Sequence, residues 1–308
     1  MDDEGYTTDN THRAFLQAFI ARSTLTFEQA KPVLAAVLTA DSPERPTLPN
    51  DITEVDFNQY VSTCNNAISP FDYEIRSTLS QHDRTRIFAL VNTTSDAITQ
   101  LATIHSADEI SFLKRVLDAI FITYNKPRAE IMAVTSMQAL KLHRAPAGNR
   151  AETVEGRLRR VGWFERSRKG FYSLAPRALM ELRGWLLETY NEPRDDDEED
   201  EDEETVDRIK LCQACKEIVT VGQRCANMDC PCRLHNFCTR NVFRVQNAET
   251  CPVCKTPWDD QHPVGEKAAN VSGRRSTGGA SRRTTIQTDG AADEVDRDQD
   301  QDEDEDEG

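Results

Sequence analysis

Nine cysteines and one histidine carry the chemistry that is easiest to read in this chain. Eight of the cysteines lie between Cys212 and Cys254, spaced Cys212-x2-Cys215-x9-Cys225-x4-Cys230-x1-Cys232-x2-His235-x2-Cys238-x12-Cys251-x2-Cys254. Thiolates two residues apart on a tight knuckle can both reach one zinc ion at ~2.3 Å. Two tetrahedral ions need eight donors, and this segment offers nine. Cys212, Cys215, His235 and Cys238 suit a first ion. Cys251 and Cys254 suit a second, together with two of Cys225, Cys230 and Cys232. Interleaved pairs would brace a segment too short for a large core. Disulfides or free thiols would not explain the paired spacing, and four donors per ion leave no open catalytic position. The ninth cysteine of the chain, Cys64, falls on the apolar stripe of a helix and reads as a small core residue.

The charge of the chain is unevenly placed. The 308 residues hold 37 Lys+Arg and 53 Asp+Glu, a net charge of −16. Asp195 to Glu204 is an unbroken acidic run, and Asp289 to Gly308 holds twelve acids and one Arg. Without these two stretches, 36 basic and 31 acidic residues remain. Such runs are ordinarily solvated, disordered chain. No apolar run approaches the ~20 residues of a membrane span, so no membrane is expected as a partner. Met1-Asp2-Asp3-Glu4 lacks the apolar core of an export signal, so the clustered thiols are expected in a reducing compartment.

Before the cluster, one order of elements is expected twice. In the second copy, Ser106 and Glu109 form a capping-box pair ahead of Ile110, Leu113, Leu117, Ile120, Phe121 and Tyr124, which share one helical face. Pro127 ends that helix, a second is expected over about 129–143, and a third carries Val154, Leu158 and Val161. Trp163–Arg166 and Phe171–Leu174 then flank a Ser167–Gly170 turn, and Pro176 starts a last helix with Leu179, Leu182 and Leu186. In the first copy, Phe15, Leu16, Phe19 and Ile20 mark one helix. Thr26 and Gln29 start another, which Pro32 should disturb. Phe57, Tyr60, Val61, Cys64 and Ile68 mark a third, and Tyr73–Leu79 and Ile87–Val91 form a hairpin around Ser80–Thr85. Three helices and a hairpin are the order of a winged helix. The fold expected is therefore mainly α with small β-hairpins (α+β). It comprises winged helices at 8–104 and 105–193, an acidic linker at 194–206, a two-zinc cross-braced RING-like domain at 207–262 and a disordered acidic tail at 263–308. Winged helices often meet DNA through the third helix and the wing. Arg157, Arg159 and Arg160 on the former, and Arg168 and Lys169 on the latter, are candidate contacts to double-stranded DNA, with protein docking as the alternative use of these domains.

With two winged helices ahead of a ring ordered as four Cys, one His and three Cys, the chain resembles the family of the first non-SMC element of the structural maintenance of chromosomes 5–6 complex. The resemblance rests on His12-Arg13-x-Phe15-Leu16-Gln17, Phe88-Ala89-Leu90-Val91-Asn92, Gly222-Gln223-x-Cys225, Arg233-x-His235-x2-Cys238, and Cys251-Pro252-x-Cys254 with Trp258. It spans about residues 8–262. Arg233 fits the family pattern when Cys230 is the fourth ligand, which selects Cys225 and Cys230 and makes Cys232 the extra cysteine. The resemblance implies a nuclear RING-type ubiquitin ligase acting in DNA repair and recombination. It also implies a MAGE-type third element docked on the winged helices, a kleisin fourth element beside it and a ubiquitin-conjugating enzyme. Ala214, Pro252, Val253 and Lys255 occupy the positions where ordinary RINGs dock that enzyme. Ala214 is small where a bulky aliphatic is usual, so weak or partner-dependent activity is expected. Three alternatives stand beside this reading: a non-catalytic zinc and winged-helix scaffold, a PHD-type finger (disfavoured by Glu249 where an aromatic is usual), and a DNA-binding protein.

Overall fold

The computed structural model describes residues 9–94, 106–126, 128–142, 156, 158, 162–191 and 207–269. Capping sets the start of nearly every helix in the first unit. Asp9 accepts from the Thr11 and His12 amides and opens α1, Asn10–Arg22. Thr26 and Gln29 exchange side-chain and backbone bonds at the start of α2, Phe27–Asp41, and Thr53 and Asp56 do the same for α3, Glu54–Ile68. A short strand β1, Thr24–Thr26, joins the hairpin of β2, Tyr73–Leu79, and β3, Arg86–Asn92, in the order β1-β3-β2. Phe15, Phe19, Leu34, Phe57, Cys64 and Phe88 fill the core between helices and sheet. Pro32 does not break α2. Its lost amide bond is outweighed by burial of Ala30, Leu34 and Ala35 on the inner face.

The second unit repeats the pattern. Ser106 caps α4, Ala107–Asp118, which runs into a π turn at Ala119–Thr123. The helix expected over 129–143 is shorter. Asn125–Lys126 (β4) pairs with Ala129–Glu130 (β5), Val134–Thr135 forms β6, and only Ser136–Leu142 (α5) is helical. Met132 takes a left-handed backbone, and Thr135 and Gln138 make the reciprocal bonds of a helix start, so helix geometry begins only there. Strands β7, Phe164–Arg166, and β8, Phe171–Leu174, complete a sheet of order β6-β8-β7, the arrangement of the first copy. The last helix is split at Leu182 into α6, Pro176–Glu181, and α7, Arg183–Tyr190. In the expected third helix Leu158 is buried, whereas Val154 and Val161 lie outside the described residues, as do Pro127, the acidic linker and residues 270–308.

The Cys/His segment is not a separate ball. Ile209, Ile218, Val219, Leu234 and Val264 belong to the same apolar core as Phe121, Trp163 and Leu186 of the second winged helix. Its sheet holds β9, Gly222–Arg224, β10, Arg233–Leu234, and β11, Pro263–Val264. This corrects the boundary at 262: Pro263 and Val264 pair with Gln223 and Gly222, and Val264 and Ala268 are buried. Helix α8, Asn236–Gln246, follows His235.

Specific bonds join the units. Glu181 accepts from the Asn92 amide of the first unit and, at 2.9 Å, from the Trp163 indole. Asn191 exchanges two bonds with the backbone of Ile209, at 2.9 and 3.0 Å, where the chain leaves and re-enters the described structure. Most deeply, Arg233 of β10 forms a fork with both carboxylate oxygens of Glu130 on β5, Nε–Oε2 being 2.7 Å. The two side chains are 5% and 8% exposed. Removing one partner of a buried pair leaves the other charge stranded, at a cost of ~3–5 kcal/mol. Glu130→Ala should therefore lower unfolding free energy by about that amount in denaturant titrations, with Glu130→Gln losing less because one acceptor oxygen survives. A loss within ordinary surface-mutation scatter would contradict the pairing.

Candidate metal centre

Two short turns with the same geometry present the paired cysteines. In the first, Cys212 accepts the Lys216 amide at 2.9 Å and donates to the Glu217 carbonyl at 2.8 Å. In the second, Cys251 accepts the Lys255 amide at 3.0 Å and donates to the Thr256 carbonyl at 2.8 Å. Lys216 and Lys255 both take left-handed backbone, with φ of 62° and 61°. Both thiols of each knuckle thereby point to one side.

The donors gather in two interleaved sets. Cys212, Cys215, His235 and Cys238 form one, and Cys225, Cys230, Cys251 and Cys254 the other, with the donor atoms of each set within 4.8 Å of one another. Cys215 Sγ lies 3.3 Å and Cys238 Sγ 3.9 Å from His235 Nδ1. In the second set Cys225–Cys254 and Cys230–Cys251 sulfur separations are 3.4 and 3.7 Å. These fit the ~3.8 Å edge of a tetrahedron with zinc–sulfur bonds of ~2.3 Å. They are far beyond the ~2.05 Å of a disulfide. His235 Nε2 lies 3.2 Å from the Ile218 carbonyl, an acceptor only, so Nε2 carries the hydrogen and Nδ1 keeps its lone pair toward the cluster. The two clusters of four donors are thus consistent with two zinc ions, cross-braced as the spacing implies.

Charge follows the same plan. Burial pushes the thiols of Cys225, Cys230 and Cys238 up, so ionising them calls for a cation. Hydrogen bonds from the Thr256 hydroxyl and amide hold Cys254 down at about 6. Cys232 lies outside both sets; it is fully buried and burial raises its thiol. Its carbonyl instead accepts the Cys225 amide at 3.2 Å and Arg233 at 2.8 Å.

The remaining candidates are dispersed. Ala214 and Val253 sit at the tips of the two knuckles, both exposed, Val253 by 48%. Pro252 is half-buried, and Lys255 Nζ donates to its carbonyl at 3.1 Å. Arg168 and Lys169 are exposed on the second wing, and Lys169 lies 3.6 Å from Glu266. Arg157, Arg159 and Arg160 lie outside the described residues. In the first unit, α3 has Glu54 and Asp56 in its first turn and no basic residue, a poor face for phosphate. Sequence reading missed Glu130, Gln81 and Arg84, which all reach the ring from the winged helices. The matched Cys-x2-Cys-Lys of both knuckles was the visible signal for the left-handed lysines.

Residues 12–182 match the family model described as Nse1 non-SMC component of SMC5-6 complex, and residues 212–254 match a RING-like domain. The chain is 26% identical over 208 residues to Non-structural maintenance of chromosomes element 1 of Schizosaccharomyces pombe, covering 67% of this chain and 78% of the relative. It is 25% identical over 230 residues to the Xenopus tropicalis homolog (70% and 77% covered) and 22% identical over 204 residues to that of Homo sapiens (66% and 70%). Its fold resembles a solved chain described as Nse1-Nse3-Nse4 complex, with a TM-score of 0.60 and 21% identity, covering 84% of this chain and 98% of the other. The Cys225/Cys230 ligand choice is tested by metal content. Wild type and Cys232→Ser should each hold about two zinc ions per chain, and Cys230→Ser about one or fewer. Equal loss in both variants would overturn it.

Proposed function

The chain belongs to the family of Nse1 non-SMC components of the SMC5-6 complex, and on that premise we propose that it is a RING-type ubiquitin ligase subunit acting in the nucleus, in DNA repair and recombination. The observation that carries this reading is the pair of matched, cross-braced knuckles, whose tips Ala214 and Val253 face solvent within a RING-like segment. Eight donors would hold two zinc ions: Cys212, Cys215, His235 and Cys238 one, and Cys225, Cys230, Cys251 and Cys254 the other. With four protein donors each, zinc supplies bracing. A ligase of this kind does no covalent chemistry with its own side chains. It seats a ubiquitin-loaded conjugating enzyme and restricts the thioester-linked ubiquitin, so its contribution is orientation.

The knuckle tips set the strength of that seat. Val253 offers an exposed apolar contact, and Pro252 stiffens the loop behind it. Lys255 is bonded back to the Pro252 carbonyl, which directs its charge along the knuckle. Ala214 offers little area. A MAGE-type subunit docked on the winged helices, with a kleisin beside it, would hold this chain and the ring in one orientation, lowering the ordering cost of a weak docking step. The solved chain whose fold it shares comes from an Nse1-Nse3-Nse4 complex, which supports those partners. Arg168 and Lys169 leave a smaller role for double-stranded DNA.

Discharge of ubiquitin from a loaded conjugating enzyme should be slow with the full chain alone and faster with the MAGE-type subunit added. Val253→Asp should cut the partnered rate at least about tenfold, since a charge at the seat costs on the order of 1.4 kcal/mol or more. Ala214→Ile should raise it. Discharge unaffected by the chain under all these conditions would favour the non-catalytic scaffold.

A further inference from the structure

The wing of the first winged helix ends against the first donor cluster. The loop Ser80–Thr85 is closed by the Ser80 amide on the Thr85 carbonyl at 2.9 Å and the Arg84 amide on the Ser80 carbonyl at 3.0 Å. From it, Gln81 Oε1 accepts the Thr220 and Val221 amides at 3.0 and 2.8 Å, and Gln81 Nε2 donates to the Ile218 carbonyl at 2.9 Å. That carbonyl is the one that takes the Nε2 hydrogen of His235. From the same loop the Arg84 guanidinium lies 5.5 Å from the centre of the Phe237 ring. Phe237 in turn stacks on the His235 imidazole, 5.2 Å between centres and 6° between planes. One six-residue loop therefore fixes both supports of a single imidazole, the acceptor of its far nitrogen and the aromatic plane against its face.

We propose that Gln81 and Arg84 are positioning residues for His235, so that the wing of the first winged helix governs metal retention at the Cys212–Cys215–His235–Cys238 cluster and not at the all-cysteine cluster. An imidazole binds metal well only while its ring plane aims the lone pair at the ion, and outer-shell partners that hold the plane change affinity by about 10–100-fold. Gln81 acts one bond beyond the direct partner, which places its effect near the lower end. Arg84 also sets a positive charge beside a cluster whose three thiolates outnumber the charge of the ion. The wing is thereby spent on the ring, and its Gln81 and Arg84 contacts would be given up if it met a phosphate backbone instead.

The two clusters differ in donor set, so cobalt(II) reports on them separately: the three-sulfur, one-nitrogen site absorbs differently from the four-sulfur site. The full chain is loaded with cobalt(II) at both sites, and release to a chelator is followed at the two sets of bands. Gln81→Ala and Arg84→Ala should speed release from the histidine-containing site by about tenfold, leaving the all-cysteine site unchanged as an internal control. Gln81→Glu keeps an acceptor for Thr220 and Val221 but faces the Ile218 carbonyl with a carboxylate. It should release cobalt from the first site as fast as Gln81→Ala in a chain that remains folded. Unchanged release, or equal acceleration at both sites, would overturn the inference. A wild-type chain that takes up fewer than two cobalt ions would overturn the ligand assignment and this inference with it.

Discussion

A buried arginine holds the two halves of the ring to each other and to the rest of the molecule. Arg233 cannot be left unpaired at 5% exposure. Its side chain meets Glu130 of the second winged helix and donates to the carbonyls of Cys230 and Cys232 at 2.9 and 2.8 Å. Its backbone carbonyl accepts the Gln213 amide of the first knuckle at 3.0 Å. One residue thus touches the frame of both donor clusters while its charge is answered from outside the ring. If Glu130 were absent, the Cys230 and Cys232 carbonyls would still accept from the guanidinium, but the carboxylate that answers its charge would be gone.

This arrangement explains how a segment of this size keeps a fixed shape. Domains near 60 residues bury only a modest fraction of their surface and need reinforcement. Two metal centres are one source. The other is a core shared with the second winged helix, in which Leu234 and Val264 pack in the same apolar cluster as Trp163 and Leu186. The first winged helix reaches the ring through the polar side chains Gln81 and Arg84 at its wing, and it keeps an apolar core of its own. Two kinds of joint result, one core-like and one hydrogen-bonded.

The parts that could be read from sequence are those with local or periodic signals. The capping pairs Thr26–Gln29 and Ser106–Glu109, the apolar stripes and the Cys-x2-Cys knuckles each encode their geometry within a few residues. Pro32 misled because a local penalty was outweighed by tertiary burial. The stretch 129–135 misled because its strands pair with Asn125–Lys126 and with Phe171–Tyr172, partners that helical spacing does not reveal. Pro263–Val264 carries no strand signal in the sequence, because two residues of strand have no periodicity. Glu130, Gln81 and Arg84 carried no signal at all: each is a single polar residue in a short strand or loop, and its partner lies more than a hundred residues away.

The ring and the second winged helix share one core and are built as one cooperative body across the Arg233–Glu130 pair. Trp163 is fully buried in the second winged helix, and the metal clusters lie in the ring. Trp258 lies in the ring, whereas Trp163 and Trp185 lie in the second winged helix. Denaturant unfolding of the zinc-loaded full chain carrying Trp258→Phe, followed by tryptophan fluorescence and by zinc release to a colorimetric chelator, therefore tests this most directly. Coincident transitions, moved together to lower denaturant by Glu130→Ala, are the expected result. Zinc release that completes before Trp163 is exposed, with the tryptophan transition unmoved by Glu130→Ala, would contradict it.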